Sequence, residues 1–253
     1  MRLYSLPQVY SALRSPDKAT VERVLNIIRQ HCHGPSLSVF DPACGPGLWL
    51  KFFAELGMRT AGNDISPQMC AAARSLLCGY TTEIVHGDMT DLYFSSKPFD
   101  LAVEPSGVLC ELNREQFVKH LLSAAKQLRP AGTYLLTLIF RCVDRLESRM
   151  YYDYQVSLSD SALGHISSQY KGVHYDEQRD ILRMQRTVRV GDNVEDEISE
   201  TYNLQLYTYE SLLSLLSSVP VFTIAADPQP LYEDEDNAAD SLIEQVIVLK
   251  RHD

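Results

Sequence analysis

The stretch Ser38-Val39-Phe40-Asp41-Pro42-Ala43-Cys44-Gly45-Pro46-Gly47 limits what this chain can fold into more than any other. It reads as a short buried strand that ends in a glycine turn and opens directly into a helix, because Leu48, Leu50, Phe52, Phe53 and Leu56 follow and Gly57 stops the run. Glycine at 45 and 47 carries no Cβ, so the backbone there can turn sharply and come close to a ligand. A turn at the carboxyl end of a strand and the amino end of a helix is where open α/β sheets bind nucleotide-like ligands.

Two cofactor readings compete for such a turn. A dinucleotide fingerprint wants a third small residue three positions after the second glycine, so that helix and strand pack closely; here that position is Leu50. The acid at the end of a second strand is present: Arg59-Thr60-Ala61-Gly62-Asn63-Asp64 places Asp64 17 residues beyond Gly47, where a carboxylate can take both ribose hydroxyls. A glycine loop with a ribose acid but no third glycine favours an adenosine ligand without a pyrophosphate.

Asp41 to Gly47, with Gly62-Asn63-Asp64-Ile65-Ser66-Pro67-Gln68-Met69 after it, resembles the first two signatures of the class I S-adenosylmethionine-dependent methyltransferases. Three further matches follow in order: Gly87-Asp88-Met89, Phe99-Asp100-Leu101-Ala102-Val103-Glu104, and Leu128-Arg129-Pro130-Ala131-Gly132. The likeness covers residues 37 to 140 well and the rest loosely. It implies an α/β fold, with a Rossmann-like, seven-stranded, mostly parallel sheet carrying helices on both faces, plus an inserted β-rich cap. It implies S-adenosylmethionine as cofactor and S-adenosylhomocysteine as product. By the same resemblance Asp41, Ala43, Gly45 and Gly47 would cradle the amino-acid tail and sugar, and Asp64 would hold the ribose. Ile65, Asp88 and Met89 would meet adenine, and Glu104 would face the tail or the substrate. Tyr10 resembles the tyrosine of an N-terminal helix that closes over the cofactor.

The order of elements divides the chain into an N-terminal lid over 1–36, a cofactor-binding core over 37–140, a cap over 141–207, and a final helix and strands over 208–253 that complete the core. Residues 1 to 19 read as a polar lead-in, and 20 to 31 as a helix with Val21, Val24, Leu25 and Ile28 on one face. Ser66 before Pro67 is a helix start, and Asn113 with Gln116 forms a capping-box pattern before Phe117, Leu121, Leu122, Ala125 and Leu128. Pro130 and Gly132 would stop that helix, and Thr133 to Phe140 is a strand apolar enough to be covered on both faces. Within the cap, Asp180 to Val190 and Glu197 to Tyr207 alternate about Gly191-Asp192-Asn193 and predict a hairpin; 151 to 175 carries no clear pattern. A helix over 209 to 218 and strands at Val221–Ala225 and Gln245–Lys250 close the chain, joined by the acidic loop Glu233-Asp234-Glu235-Asp236.

At 45% hydrophobic and 22% charged the composition is that of an ordinary globule, and no run of about 18 apolar residues exists, so no membrane span is expected. Met1 to Pro7 lacks the apolar core of a signal peptide, which points to a cytoplasmic protein. A net charge of −10 argues against nucleic acid as a partner, because phosphate-backbone affinity comes from Lys and Arg. The six cysteines, at 32, 44, 70, 78, 110 and 142, show neither a CxxC pair nor zinc spacing, so buried reduced thiols and no metal are expected.

Methyl transfer from a sulfonium depends chiefly on placement: positioning corresponds to an effective molarity of roughly 10⁵–10⁸ M, against about 10²- to 10⁴-fold from a general base. No motif singles out such a base. His86 reads as a strand histidine satisfied by neighbours, and Tyr10, Tyr152, His165 and His174 are the substrate-side candidates in the lid and cap. The expected activity is methyl transfer to O, N or C of a small molecule. The alternatives are a non-catalytic cofactor-binding or partner-binding protein of the same fold, or a protein or RNA methyltransferase. The last lacks an Asn-Pro-Pro-Tyr type of signature, since Glu104-Pro105-Ser106-Gly107 stands there.

Overall fold

The computed structural model describes residues 3–32, 37–141, 153–161, 163–191, 197–231 and 242–252. After a single turn of 3-10 helix at Leu3–Ser5, the elements in chain order are α1 (Pro7–Arg14), α2 (Lys18–His31), β1 (Ser38–Asp41), α3 (Leu48–Glu55), β2 (Arg59–Asp64), α4 (Pro67–Leu76), β3 (Thr82–His86) and β4 (Phe99–Glu104). A second 3-10 turn, Val108–Glu111, leads to α5 (Arg114–Ala125) and β5 (Leu128–Arg141). Then come β6 (Asp153–Ser161), β7 (Gly164–Asp176), β8 (Ile181–Val190), β9 (Glu197–Gln205), α6 (Tyr209–Ser217), β10 (Phe222–Pro230) and β11 (Leu242–Arg251).

Seven strands form one sheet in the order β10-β11-β5-β4-β1-β2-β3. β1 pairs in parallel with both β2 and β4, and β11 runs antiparallel between β5 and β10. The expected seven-stranded, mostly parallel Rossmann-like sheet is therefore present. Neighbouring residues on a strand face opposite sides, so a sheet covered on both sides must be apolar at consecutive positions. Val39, Leu101, Val103 and Leu135 pack with Val24, Ile27 and Ile28 of α2 on one side. Phe40, Ala102, Leu136 and Leu138 pack with Phe117 and Leu121 of α5 and Leu212 and Leu215 of α6 on the other. The chain reverses its direction of progress across the sheet between β1 and β4, which opens a crevice outside their carboxyl ends.

The caps follow the sequence: Ser66 accepts from the Met69 amide, and Asn113 and Gln116 bond each other's backbone amides. α5 departs from the expectation in phase and length. It ends at Ala125, Leu128 opens β5, and the backbone turns at Ala131 with φ 59° before the strand straightens. Leu122, expected inward, is 42% exposed, and the face it was to fill is taken by His120, fully buried between the Met89 carbonyl (2.9 Å) and the Tyr134 hydroxyl (2.6 Å).

The cap is a second sheet, a four-stranded antiparallel meander β6-β7-β8-β9. The expected hairpin is its β8–β9 pair, and the patternless stretch before it supplies β6 and β7. The lead-in holds a helix, α1, whose Val9 packs with Leu3 against Ile166, Val188 and Ile198 of the cap. The other end of the cap's inner face, Tyr170, Leu182, Met184 and Leu204, joins the main core, and Asp180 ties the cap to Arg141 (2.7 Å) and Arg114 (3.3 Å). Among the described cysteines, 44, 70 and 110 are buried, Cys78 is exposed, and none is in a disulfide. No described helix is long and apolar enough to cross a membrane.

Candidate active site

The glycine turn and the end of β2 are bonded to each other. Asp64 accepts the Gly45 amide on Oδ2 and the Ser66 amide on Oδ1, both at 2.8 Å. Asn63 donates to the carbonyls of Pro42 and Gly87, each at 3.0 Å, and so holds the ends of β1 and β3 to that of β2. Gly45 (φ 53°) and Gly47 (φ 87°) both lie in the left-handed region. Their surroundings differ: a Cβ on Gly45 would stand 3.4 Å from the Tyr10 ring, inside the crevice, whereas one on Gly47 would meet Leu77 at 3.0 Å and Ala73 at 3.2 Å. Gly47 thus serves the packing of α3 on α4, and Gly45 faces the crevice.

Two cavities lie on either side of this turn. One of about 190 Å³ is lined by Ala43, Gly45, Asp64, Ile65, Asp88 and Met89, the set expected for an adenosine moiety. Ile65 is 65% exposed there, an apolar platform without a protein partner. Asp88 uses Oδ1 to accept from the Thr90 amide and hydroxyl at 2.8 Å, which fixes its carboxylate. The other, of about 230 Å³, is lined by Asp41, Ala43 and Cys44 of the turn, Trp49 of α3, and Pro105 and Ser106 after β4. Tyr10 and Ala43 border both.

The electrostatics of the turn are one-sided. Asp41 accepts the Ala43 amide at 2.9 Å, yet burial holds its carboxyl well above the usual range, and Glu104 and Asp64 push it further. Burial also raises Asp64 against the two amides that favour its charge. Glu104 is fully buried and pushed up to about 7 by that burial; Ser106 donates to its Oε1 through amide and hydroxyl, and Oε2 has no partner. None of the three acids forms an ion pair with a described residue. Such a site suits a cationic ligand with an ammonium and a sulfonium, and repels a pyrophosphate.

Residues 39–132 match the sequence profile of a methyltransferase domain. The match takes in the glycine turn, Asp64, Asp88 and Glu104, and so marks this stretch as similar to a methyltransferase domain. No curated protein sequence matches it. Its fold is shared across the whole chain with an S-adenosylmethionine-dependent methyltransferase from Clostridium acetobutylicum, at 14% identity, TM-score 0.74 and full coverage of both chains. The amino pentose methyltransferase CalS10 of Micromonospora echinaspora matches at 18% identity and TM-score 0.70 over 96% of this chain and 97% of its own. The sugar N-methyltransferase KedS8 of a Streptoalloteichus species matches at 19%, TM-score 0.66, over 97% and 92%. The orphaned Glu104 oxygen, the fixed Asp64 carboxylate and the Ile65 platform fit the methyltransferase cofactor. When bound, it supplies a methyl group on an electrophilic sulfonium.

A third cavity, about 80 Å³, lies under the cap and is bounded by Tyr4, Tyr10, Arg14, Glu111, Arg186 and Glu244 among others. Tyr10 therefore lines all three cavities. His165 and His174, expected on the substrate side, are exposed and border none of the three; β7 turns Ile166, Ser168 and Tyr170 inward instead, and a bulge lies between Gly172 and His174. Tyr152 lies outside the described residues. His86 is exposed and bonds the Ile65 carbonyl at 3.0 Å, as a satisfied strand histidine should. The N-terminal tyrosines Tyr4 and Tyr10, expected to share a pocket with the cap, do line this cavity, whereas Glu111, Arg186, Tyr202 and Glu244 were not singled out from the sequence. Each is isolated in the chain, and the one available signal was the cap's period-two pattern, which points Met184, Arg186 and Val188 to the same face.

Proposed function

We propose that this chain transfers the methyl group of S-adenosylmethionine to a small molecule held in the chamber between α1, the loop after β4 and the inner face of the cap. The observation that carries the cofactor side is a trio of carboxylates around the glycine turn, buried Asp41 and Glu104 and half-buried Asp64, with no ion pair among the described residues. Asp64 would hold the ribose hydroxyls with the lone pairs its two backbone bonds leave open. Asp88 and Met89 would meet the purine, and Asp41 and Glu104 the ammonium end of the tail. On the acceptor side, the small volume suits a compact molecule, and the mix of tyrosines and charged groups with apolar Ile139, Met184 and Leu204 suits one that carries polar groups. A net charge of −10 supports a partner other than nucleic acid. The chamber supplies placement, the larger part of the rate.

Calorimetry with S-adenosylmethionine, S-adenosylhomocysteine and NAD, followed by S-adenosylhomocysteine release against a metabolite pool, tests the reading. Binding of the first two and not the third, with release dependent on a small molecule, is expected. A protein that binds none of them does not have this function.

A further inference from the structure

Resting on the reading above, we propose that Glu111 is the carboxylate that receives the acceptor, and that the acceptor is a primary or secondary amine on a compact skeleton. The adenosine cavity and the inner chamber share four lining residues, Tyr4, Tyr10, Val108 and Glu111. Of these, Glu111 alone is a carboxylate, so it stands where a methyl group must cross from one cavity to the other.

The position of that carboxylate is fixed. Glu111 ends the 3-10 turn after β4, and the Tyr4 hydroxyl donates to its Oε1 at 2.7 Å. A carboxylate has about four lone-pair sites, so a single hydrogen bond leaves room for a ligand donor. Tyr4 is itself held, its carbonyl accepting from Ser66 Oγ at 2.6 Å and its ring lying 5.3 Å from the Arg186 guanidinium.

The charges around the chamber select the ligand's sign. Arg186 is matched by Glu200 through a short ion pair, which removes both from the count. Arg14 remains, donating to the Tyr170 hydroxyl at 3.1 Å, against two carboxylates, Glu111 and Glu244. Arg14 and Glu244 offset each other, Glu111 remains a desolvated carboxylate, and such a group forms its strongest bonds to a charged N–H donor. An alcohol acceptor would need a group able to take a hydroxyl proton, and the chamber's bases are carboxylates, too weak for it. An alkylammonium, with a pKa of about 10, gives up its proton far more readily than an alcohol does, so a carboxylate can take it as the acceptor docks.

The step balances with these groups. The bound ammonium gives one proton to Glu111, and the freed nitrogen lone pair forms the N–C bond as the C–S bond breaks with its electron pair going to sulfur. The product leaves as the methylated ammonium, and Glu111 returns its proton to water.

The test uses the full chain, methyl-labelled S-adenosylmethionine and a library of paired compounds that differ only in bearing an amine or a hydroxyl. Label on nitrogen, and only in the amine members, is expected. With the labelled amine as probe and S-adenosylhomocysteine present, calorimetry should show Glu111→Gln binding it at least about tenfold more weakly, with Glu111→Asp recovering part of the loss. A circular-dichroism spectrum and melting curve matching those of the parent show that the variant is folded. Label on oxygen or carbon, cofactor binding with no labelled amine, or Glu111→Gln binding the amine within about threefold of the parent each overturns the proposal. Failure of the parent chain to bind S-adenosylmethionine overturns the cofactor reading first, and so separates the two.

Discussion

Gly45 donates its amide to Asp64 Oδ2 at 2.8 Å, so the ribose acid and the glycine turn form one unit, closed by the Ser66 amide on the other oxygen. Hydrogen bonds to a charged group contribute about 1.5–3 kcal/mol each, and a buried donor left alone costs about 1–3 kcal/mol. Asp64→Ala is therefore expected to weaken S-adenosylmethionine binding by about two orders of magnitude and to lower the melting temperature as well. Asp64→Asn should do much the same, because its NH2 must face one of the two backbone amides. Calorimetry showing parental affinity in a folded Asp64→Ala protein would remove Asp64 from the ribose.

Tyr10 lines all three cavities, with its ring beside Gly45 and its ring centroid 5.9 Å from that of Tyr4 in a T-shaped contact. A ring face near a sulfonium contributes about 0.5–2 kcal/mol, and the hydroxyl is not part of that attraction. Tyr10→Phe should hold cofactor affinity within about threefold, whereas Tyr10→Ala should lose about tenfold or more and speed cofactor release. Stopped-flow dissociation of the two variants separates the outcomes; equal rates would mean the ring does not cover the cofactor.

Glu104 gives the site a pH signature. Burial lifts its carboxyl to about 7 in the folded protein, above the usual carboxylate range. A carboxyl raised on folding binds protons more tightly in the native state, so its contribution is fully present below the unfolded value and lost as pH rises through about 7. A shift of that size corresponds to a loss on the order of 3 kcal/mol between about pH 4.5 and 7. The same proton must leave before Glu104 can face a cation, so S-adenosylmethionine affinity should fall by up to about tenfold per unit as pH drops below 7 and level off above it. Glu104→Gln should make both profiles shallower around pH 7, with the Asp41 and Asp64 carboxyls, which burial also raises, supplying the remaining slope, while weakening binding at pH 8. Thermal melts and calorimetry from pH 5 to 8.5 read them, and identical slopes in parent and variant would exclude Glu104 as the group responsible.

The sheet and the cofactor half of the site were legible because each rests on a local rule. Glycine turns at strand ends, an acid closing β2, a serine cap before Pro67 and doubly apolar strands all lie within a few residues of one another. The acceptor half rests on long-range contacts: Tyr4 meets Glu111 across 107 residues and Arg14 meets Tyr170 across 156. Helix α1 was expected only through the likeness of Tyr10 to a family tyrosine and not from its own pattern, because it is short and Val9 is its one buried residue. The phase of α5 was misread because a histidine with two buried partners took a core position that Leu122 seemed to claim. His165 and His174 suggested chemistry by residue type alone, and strand alternation, which could have placed them outward, was not visible in a stretch without apolar periodicity.

Arg186 decides whether the cap is part of the site or only its cover. It is 3% exposed, paired with Glu200, and its guanidinium lies 5.3 Å from the Tyr4 ring and 5.2 Å from the Tyr202 ring. Removing one partner of such a pair leaves a buried charge uncompensated at a cost of about 3–5 kcal/mol, so Arg186→Ala should destabilise the protein strongly and is uninformative about catalysis. The double replacement Arg186→Met with Glu200→Leu keeps the volume apolar and is expected to be near neutral in stability. It removes the planar cation that both tyrosines stack on, which frees Tyr4 and with it the fixed position of Glu111. Acceptor KM should then rise by about tenfold or more while S-adenosylmethionine affinity holds, because Asp41, Asp64 and Glu104 lie on the sheet and are untouched. Parental KM and kcat in a folded double variant would reduce the cap to a cover over the crevice.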